Sequence, residues 1–246
     1  MLVEINKVYS LGDHRIICGD CRNCKVVKEA VAGSRINLIV ADPPYGVSYV
    51  ETKEGFGNIK VKKVIQNDSF KNEDEYKTFT CSWLNAVKPY LASKNSVYIF
   101  NSDKMIFALR SAMEEAGFRF AQLLIWVKSN QVIGRRDYLA KHELIAYGWY
   151  GAHKFLKSKD KSVIFYPKPQ SSPIHPTSKP VGLIRHLILN STRIGDTVYD
   201  PFGGSGSTLV ACEQTRRKCV MIEIDSDYIG KIINRYKRLK GDTNNE

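Results

Sequence analysis

The chain has 246 residues, 43% apolar and 25% charged, with 17 Gly and 9 Pro, a globular balance that excludes collagen-like, low-complexity and wholly disordered classes and suits one large α/β domain. Its longest apolar runs, Ile36 to Ala41 and Ala121 to Val127 among them, fall far short of the roughly 18 residues of a membrane span, and Glu4 and Lys7 interrupt the N-terminus as no signal peptide would, so a soluble intracellular protein is expected. Lys and Arg exceed Asp and Glu by a net charge of +12, which favours a polyanionic partner but is also open to a merely basic enzyme.

Short apolar runs alternate with amphipathic stretches, the pattern of parallel strands with helical crossovers. Arg15 to Gly19 and Ile36 to Ala41 read as buried strands, separated from the next element by the polar loop Gly46 to Asn67. Glu73 to Leu91 reads as a helix, Ser96 to Phe100 as a strand, and Asp103 to Ala116 as a helix that Gly117 stops. Phe118 to Val127 is a further strand. From about 128 to 174 the periodicity weakens, and Arg135, Arg136, Lys141 and Lys154 interleave with Tyr138, Tyr147, Trp149, Tyr150, Phe155 and Tyr166. This segment is expected to be an irregular insertion; cations for phosphate and rings for bases suit nucleic-acid contact, though a solvated insertion has the same composition. Pro180 opens a helix to about Thr192. Thr197 to Tyr199 is a strand, Ser207 to Thr215 a helix, Lys218 to Ile224 a strand and Ser226 to Lys240 a basic helix, before a disordered tail over 241–246.

Cys18, Cys21 and Cys24 form a C-x-x-C-x-x-C run, but Lys25, Val26 and Val27 stand where an iron–sulfur run would continue. Reduced thiols and no metal are expected.

Two segments carry the chemistry. The first, Thr197 to Asp225, is a strand, a glycine-rich turn, a helix and a second strand ending in acid. Gly203, Gly204 and Gly206 permit a tight turn and close approach of a ligand, and Glu223 at the end of the second strand can accept both hydroxyls of a ribose. No Lys follows Gly206, which argues against a phosphate-binding loop, and the glycine phasing fails the dinucleotide pattern. A cofactor with ribose but no pyrophosphate remains, with S-adenosylmethionine the first candidate; a simple strand-to-helix turn would use glycines too. The second segment, Asp42-Pro43-Pro44-Tyr45, follows the strand ending at Ala41, at the end where open α/β sheets bind ligands. It presents carbonyl oxygens and a carboxylate as fixed acceptors. These fit the two hydrogens of a nucleobase amine, with Tyr45 to stack on the base; a plain Pro-Pro turn is the other reading.

With these residues in view, the chain resembles the permuted (β-class) DNA amino-methyltransferases, those of bacterial and phage modification systems that often carry a ParB-like domain. The resemblance rests on Ile17-Cys18-Gly19-Asp20, Asp42-Pro43-Pro44-Tyr45, Ile125-Trp126-Val127-Lys128, His142-Glu143, His175-Pro176-Thr177-Ser178-Lys179-Pro180 and Asp200-Pro201-Phe202-Gly203-Gly204-Ser205-Gly206-Ser207-Thr208, in the family's order. It implies a Rossmann-like S-adenosylmethionine-dependent methyltransferase fold, with a mostly parallel sheet and helices on both faces, in one domain. A catalytic half over about 1–127 and a cofactor-binding half over about 175–240 would flank the target-recognition insertion. Asp42, Pro43, Pro44 and Tyr45 would bind and activate the base. Asp200, Pro201, Phe202, Gly203, Gly204, Gly206, Ser207 and Thr208 would surround the cofactor's methionine part, Glu223 its ribose, Asp20 and Cys21 its adenine, and Thr177 and Lys179 its carboxylate. His142-Glu143 reads as structural, and Gly46 to Asn67 as a flap over the base. Asp at position 42 favours adenine N6 over cytosine N4. The product would be S-adenosylhomocysteine, the partner double-stranded DNA and the compartment the cytoplasm of a bacterial, archaeal or phage-infected cell. The resemblance leaves open a homodimer, a cognate restriction endonuclease, and more remotely an RNA or protein substrate; a non-catalytic DNA-binding module would leave both motifs unexplained.

Overall fold

The computed structural model describes residues 3–45, 70, 72–129, 137–157, 159–167 and 178–241. The first strands are β1 (Val8–Leu11), β2 (His14–Cys18), β3 (Ile36–Ala41), β4 (Leu91–Asn101) and β5 (Phe118–Val127). They are followed by β6 (His142–Tyr150), β7 (Ala152–His153), β8 (Val163–Phe165), β9 (Thr197–Asp200) and β10 (Lys218–Glu223). The helices are α1 (Cys24–Val31), α2 (Glu73–Val87), α3 (Ile106–Glu115), α4 (Val181–Ser191), α5 (Ser207–Thr215) and α6 (Ser226–Lys240). Among the described residues the strands form one mixed sheet in the order β1-β2-β10-β9-β3-β4-β6-β5-β8, with β7 beside β4. The five strands from β2 to β4 are parallel.

Both faces of that parallel centre are covered, so β3 is buried along nearly its whole length and shows no polar alternation. Ile39 and Ala41 face one core with Val27, Trp83, Leu84 and Leu109 of α1, α2 and α3. Leu38 and Val40 face the other, with Leu183, Leu187, Leu209, Ile232 and Ile233 of α4, α5 and α6. Local chemistry sets the helix ends. Asn72 caps α2 by accepting from the Glu75 N–H at 2.9 Å, with Glu73, Asp74 and Glu75 in the first turn. α6 runs from an Asp225 cap to Gly241 at φ +82°, with Lys237, Arg238 and Lys240 against the carbonyl end.

The sequence-based expectation fails in one major place. The segment read as an irregular insertion contains β6, a nine-residue strand seated between β4 and β5 and antiparallel to both, and β8, which pairs with β5. The aromatic residues read there as candidates for base stacking largely pack the sheet: Tyr147 stacks on Tyr98 with centroids 5.0 Å apart, and Trp149 packs on His153 and under the Arg119 guanidinium. Lys154 lies elsewhere: its ammonium pairs with Asp196, and its N–H donates to the Asn95 carbonyl, at the amino end of the sheet opposite Asp42. β1 and α1 were not expected. Arg135, Arg136, Thr177, the loop Gly46 to Asn67 and tail residues 242–246 lie outside the described residues.

Candidate active site

β3 and β9 are neighbours, yet their chains leave in opposite directions: β3 leads through α2 to β4 on one side, and β9 through α5 to β10 on the other. The two helices cover opposite faces. A crevice therefore opens at the carboxyl ends of β3 and β9, the topological switch point where α/β sheets bind ligands. Asp42 follows β3 and Asp200 ends β9, and both line one cleft open to solvent. Lys179, Phe202, Gly203, Gly204, Ser207 and Thr208 complete its walls. Two segments 158 positions apart in sequence thus share one cavity. Pro201 and Gly206 shape the turn rather than the cavity wall. Gly206 caps α5 at φ +76°, and a Cβ on Gly203 would come 2.8 Å from the Met221 sulfur on β10.

The four-residue loop is built into the core: Pro43 is buried, and Tyr45 packs against the hydrophobic cluster that holds Tyr76, Phe79 and Trp83. Asp42 is not a solitary carboxylate. Lys179 Nζ donates to Asp42 Oδ2 at 2.6 Å and lies 3.3 Å from Glu143 Oε2, while Glu143 Oε1 receives Lys128 Nζ at 2.7 Å. The chain Asp42–Lys179–Glu143–Lys128 alternates in sign, and the two ammonium groups are 7% and 5% exposed. Phe100 lies 5.1 Å from the Lys179 ammonium and Trp126 5.5 Å from that of Lys128. Burial pushes the Asp42 carboxyl above its ordinary range and Lys179 pulls it back. Burial alone would discharge Lys179, but the two carboxylates outweigh it and keep the ammonium charged. Glu143 is likewise held below the usual carboxylate range, its burial overcome by Lys179 and Lys128.

On the other wall, burial raises Asp200 to about 7, against hydrogen bonds from Thr208 and from the Phe202 N–H at 2.9 Å. Glu223 is raised by burial too; its Oε2 accepts from the Gly204 N–H at 2.6 Å and its Oε1 from the Asp225 N–H at 2.9 Å. It thereby fixes the glycine turn to the end of β10. The Gly19 N–H bonds to the Glu223 carbonyl at 2.9 Å, so the segment carrying Asp20 and Cys21 abuts the same strand end. Cys21 is buried, and Asp20 is clamped by the Arg22 guanidinium. The three cysteines of the C-x-x-C-x-x-C run do not converge: Cys18 ends β2, Cys21 is buried and Cys24 opens α1 exposed.

Sequence reasoning thus placed Asp42, Lys179 and the Asp200–Thr208 turn in one site but missed Lys128 and treated Glu143 as structural. The available signal was a pair of charges at the ends of apolar runs, Lys128 closing Ile125-Trp126-Val127 and Glu143 opening Leu144-Ile145-Ala146. Charges at such positions are buried and must find partners.

The architecture and cleft are those of an α/β methyltransferase, and comparison with known proteins makes the class specific. The family model for DNA methylase, covering enzymes directed at N6 and N4, matches residues 36–235, and the chain belongs to that family of DNA methyltransferases. It is similar to type II methyltransferase M2.DpnII of Streptococcus pneumoniae, 25% identical over 232 residues covering 85% of each chain. It is also similar to M.HpaI of Haemophilus parainfluenzae, 27% identical over 243 residues covering 88% of this chain and 72% of that one. The crystal structure of the M1.HpyAVI–SAM complex has the same fold, with a TM-score of 0.67 at 23% identity, over 89% of this chain and 97% of the other. The expected methyltransferase fold is borne out. No helix among the described residues is long and apolar enough to cross a membrane.

Proposed function

We propose that this DNA methyltransferase moves the methyl group of S-adenosylmethionine to the exocyclic N6 amine of an adenine flipped out of duplex DNA. The observation that carries this reading is the shared cleft: Asp42, the first residue after β3, faces the glycine turn and the Asp200 carboxylate of β9 across one cavity. The cavity suits that cofactor. Asp200 and the carbonyl oxygens of the turn offer hydrogen-bond acceptors for an amino group. Glu223, at the end of β10, keeps carboxylate lone pairs for ribose hydroxyls beyond the two backbone bonds it makes. Asp20 and Cys21, beside the same strand end, would face the adenine. When bound, S-adenosylmethionine supplies a methyl group activated by its positively charged sulfur.

The chain's own residues do the rest. An aromatic amine is a weak nucleophile because its lone pair is delocalised into the ring. The Asp42 carboxylate and the Pro43 carbonyl accept one amine hydrogen each, draw the nitrogen towards tetrahedral geometry and localise the lone pair for in-line attack, and the proton the nitrogen sheds on methylation passes by way of the Asp42 carboxylate to solvent. Tyr45 stacks on the flipped base. Fixed acceptors supply positioning and electrostatic stabilisation without reorganisation. Asp at position 42 supports adenine as the base, and Lys141, exposed at the same end of the sheet, together with Arg135 and Arg136, supports contact with double-stranded DNA.

The test is transfer of labelled methyl from S-adenosylmethionine to unmethylated genomic DNA, followed by nucleoside mass spectrometry, with Asp42→Ala alongside. N6-methyladenine made by the wild type and reduced at least ~100-fold by Asp42→Ala is the expected result. N4-methylcytosine would reassign the base, and methyl transfer to RNA or protein but not DNA would overturn the reading.

A further inference from the structure

Resting on that functional reading, the charge chain behind Asp42 carries a more specific inference. A carboxylate acts as a pure acceptor only when ionised, and it offers a defined oxygen to a substrate only when its rotation is fixed. We propose that Lys179 is a positioning residue for Asp42, with Glu143 as the second carboxylate that keeps the buried lysine charged: the Lys179 ammonium holds Oδ2 and leaves Oδ1 to the substrate amine. Lys179 thereby acts on the catalytic carboxylate rather than on the carboxylate of the cofactor.

The geometry is specific. Lys179 precedes α4, and its backbone carbonyl accepts from Ser207 Oγ at 2.9 Å, which pins the residue to the start of α5. Its side chain is buried against Phe100 and reaches Asp42 at 2.6 Å. Glu143 opens β6 opposite Trp126 of β5, and the Lys128 N–H bonds to the Lys141 carbonyl at 2.8 Å, so the two chain ends that carry Lys128 and Glu143 are tied together. Glu143 Oε2 is buried with no aligned hydrogen bond. The Lys179 ammonium lies 3.3 Å from it, so the interaction of Glu143 with Lys179 is one of charge.

The prediction follows from every group that faces Asp42. Lys179 and Lys128 favour its ionised form and Glu143 opposes it. Asp200 on β9 and Tyr76 on α2 act electrostatically with it, and Tyr45 with Lys179. Removing Lys179 raises the Asp42 titration, and removing the Glu143 charge lowers it. A merely structural role moves neither in opposite directions.

The experiment titrates the Asp42 side-chain carboxyl by carbon-13 NMR in protein labelled at aspartate, with the resonance assigned through Asp42→Asn. Wild type, Lys179→Met, Lys179→Arg and Glu143→Gln are compared. Lys179→Met should move the titration upward by about 1 pH unit or more, Lys179→Arg should keep it near wild type, and Glu143→Gln should move it downward. S-adenosylmethionine affinity by calorimetry should change less than about threefold in Lys179→Met. The acid limb of the single-turnover rate should follow the same order. Shifts in the same direction, or none, overturn the proposal. So does a tenfold loss of cofactor affinity in Lys179→Met with the Asp42 titration unmoved, which would place Lys179 on the cofactor. Should Lys179→Met not fold, the direction of shift in Glu143→Gln decides alone. The titration is read from the protein by itself, so it stands or falls separately from methyl transfer to DNA.

Discussion

Gly148 gives the sharpest test of how the sheet is built. It lies in β6 opposite Phe120, where the β5 register slips by one residue before Gln122. A Cβ placed on Gly148 would stand 1.9 Å from the Arg119 carbonyl oxygen and 2.9 Å from the Met113 methyl. The methionine end can swing away, but the carbonyl belongs to the neighbouring strand. Relief requires the two backbones to part by about 1 Å, which sacrifices ladder hydrogen bonds as well as packing. Overpacking at about 1–3 kcal/mol, with about one net hydrogen bond lost, puts Gly148→Ala at roughly 2–4 kcal/mol destabilising.

The sign carries the test. Gly148 is not in the left-handed region, so in an irregular exposed insertion alanine would stabilise by about 0.4–1 kcal/mol through the unfolded chain. Gly230 in α6 is the matched control: nothing lies within 4 Å of its added Cβ, and Gly230→Ala should stabilise by up to about 1 kcal/mol. Urea unfolding reads both. With a slope near ~3 kcal/mol/M, Gly148→Ala should lower the midpoint by about 1 M at unchanged slope. A midpoint equal to or above wild type would refute the placement of β6 between β4 and β5.

Asp200 should report its burial through pH. Its carboxyl titrates at about 7 in the folded chain against an ordinary 3.8, so the folded state holds the proton more tightly. Its contribution is complete below the lower value and is lost as pH rises towards 7. Asp200→Asn removes that loss: relative to wild type it should gain stability between pH 5 and pH 8, by at most about 3 kcal/mol at ~1.4 kcal/mol per unit, since part of the loss already falls below pH 5, and equal effects at the two pH values would count against the assignment. For DNA, Arg135→Ala with Arg136→Ala should weaken binding and flatten its salt dependence by about one to two contacts while cofactor affinity holds; an unchanged salt slope would remove both residues from the interface.

How legible each element was follows from how its burial is achieved. β3, β5, α5 and α6 have the limits their sequences predict, because polar or glycine residues bound each of them. α2 ends earlier than expected, since Lys88, Pro89 and Tyr90 turn the chain in a 3₁₀ helix and β4 begins at Leu91. α1 was obscured because Cys24 and its neighbours drew the reading towards metal spacing, although Val26, Val27, Ala30 and Val31 form one buried face. β6 was hidden for a different reason. Its nine residues mix a charge, a glycine and three aromatics, and only its partners show that the glycine makes room for a carbonyl and that Tyr147 and Trp149 pack against neighbouring rings.

The same concealment reached the site. Asp42 and the Asp200–Thr208 turn were visible because each is a contiguous motif whose residue types state their chemistry. The counter-charges of Asp42 are not contiguous: Lys179 precedes α4, Lys128 follows β5 and Glu143 opens β6, so they meet only once the sheet order is known. A buried carboxylate that must stay ionised needs a cation, that cation needs a second carboxylate when it is itself buried, and the second carboxylate needs another cation. Lys128 and Glu143 meet that demand from strand ends, and Lys179 from just before α4. Asp42 is therefore the most exposed member of a charge chain that includes one residue, Glu143, in the strand that the sequence pattern did not reveal, and substitutions at Glu143 or Lys128 should change the ionisation of Asp42 without touching either proposed substrate.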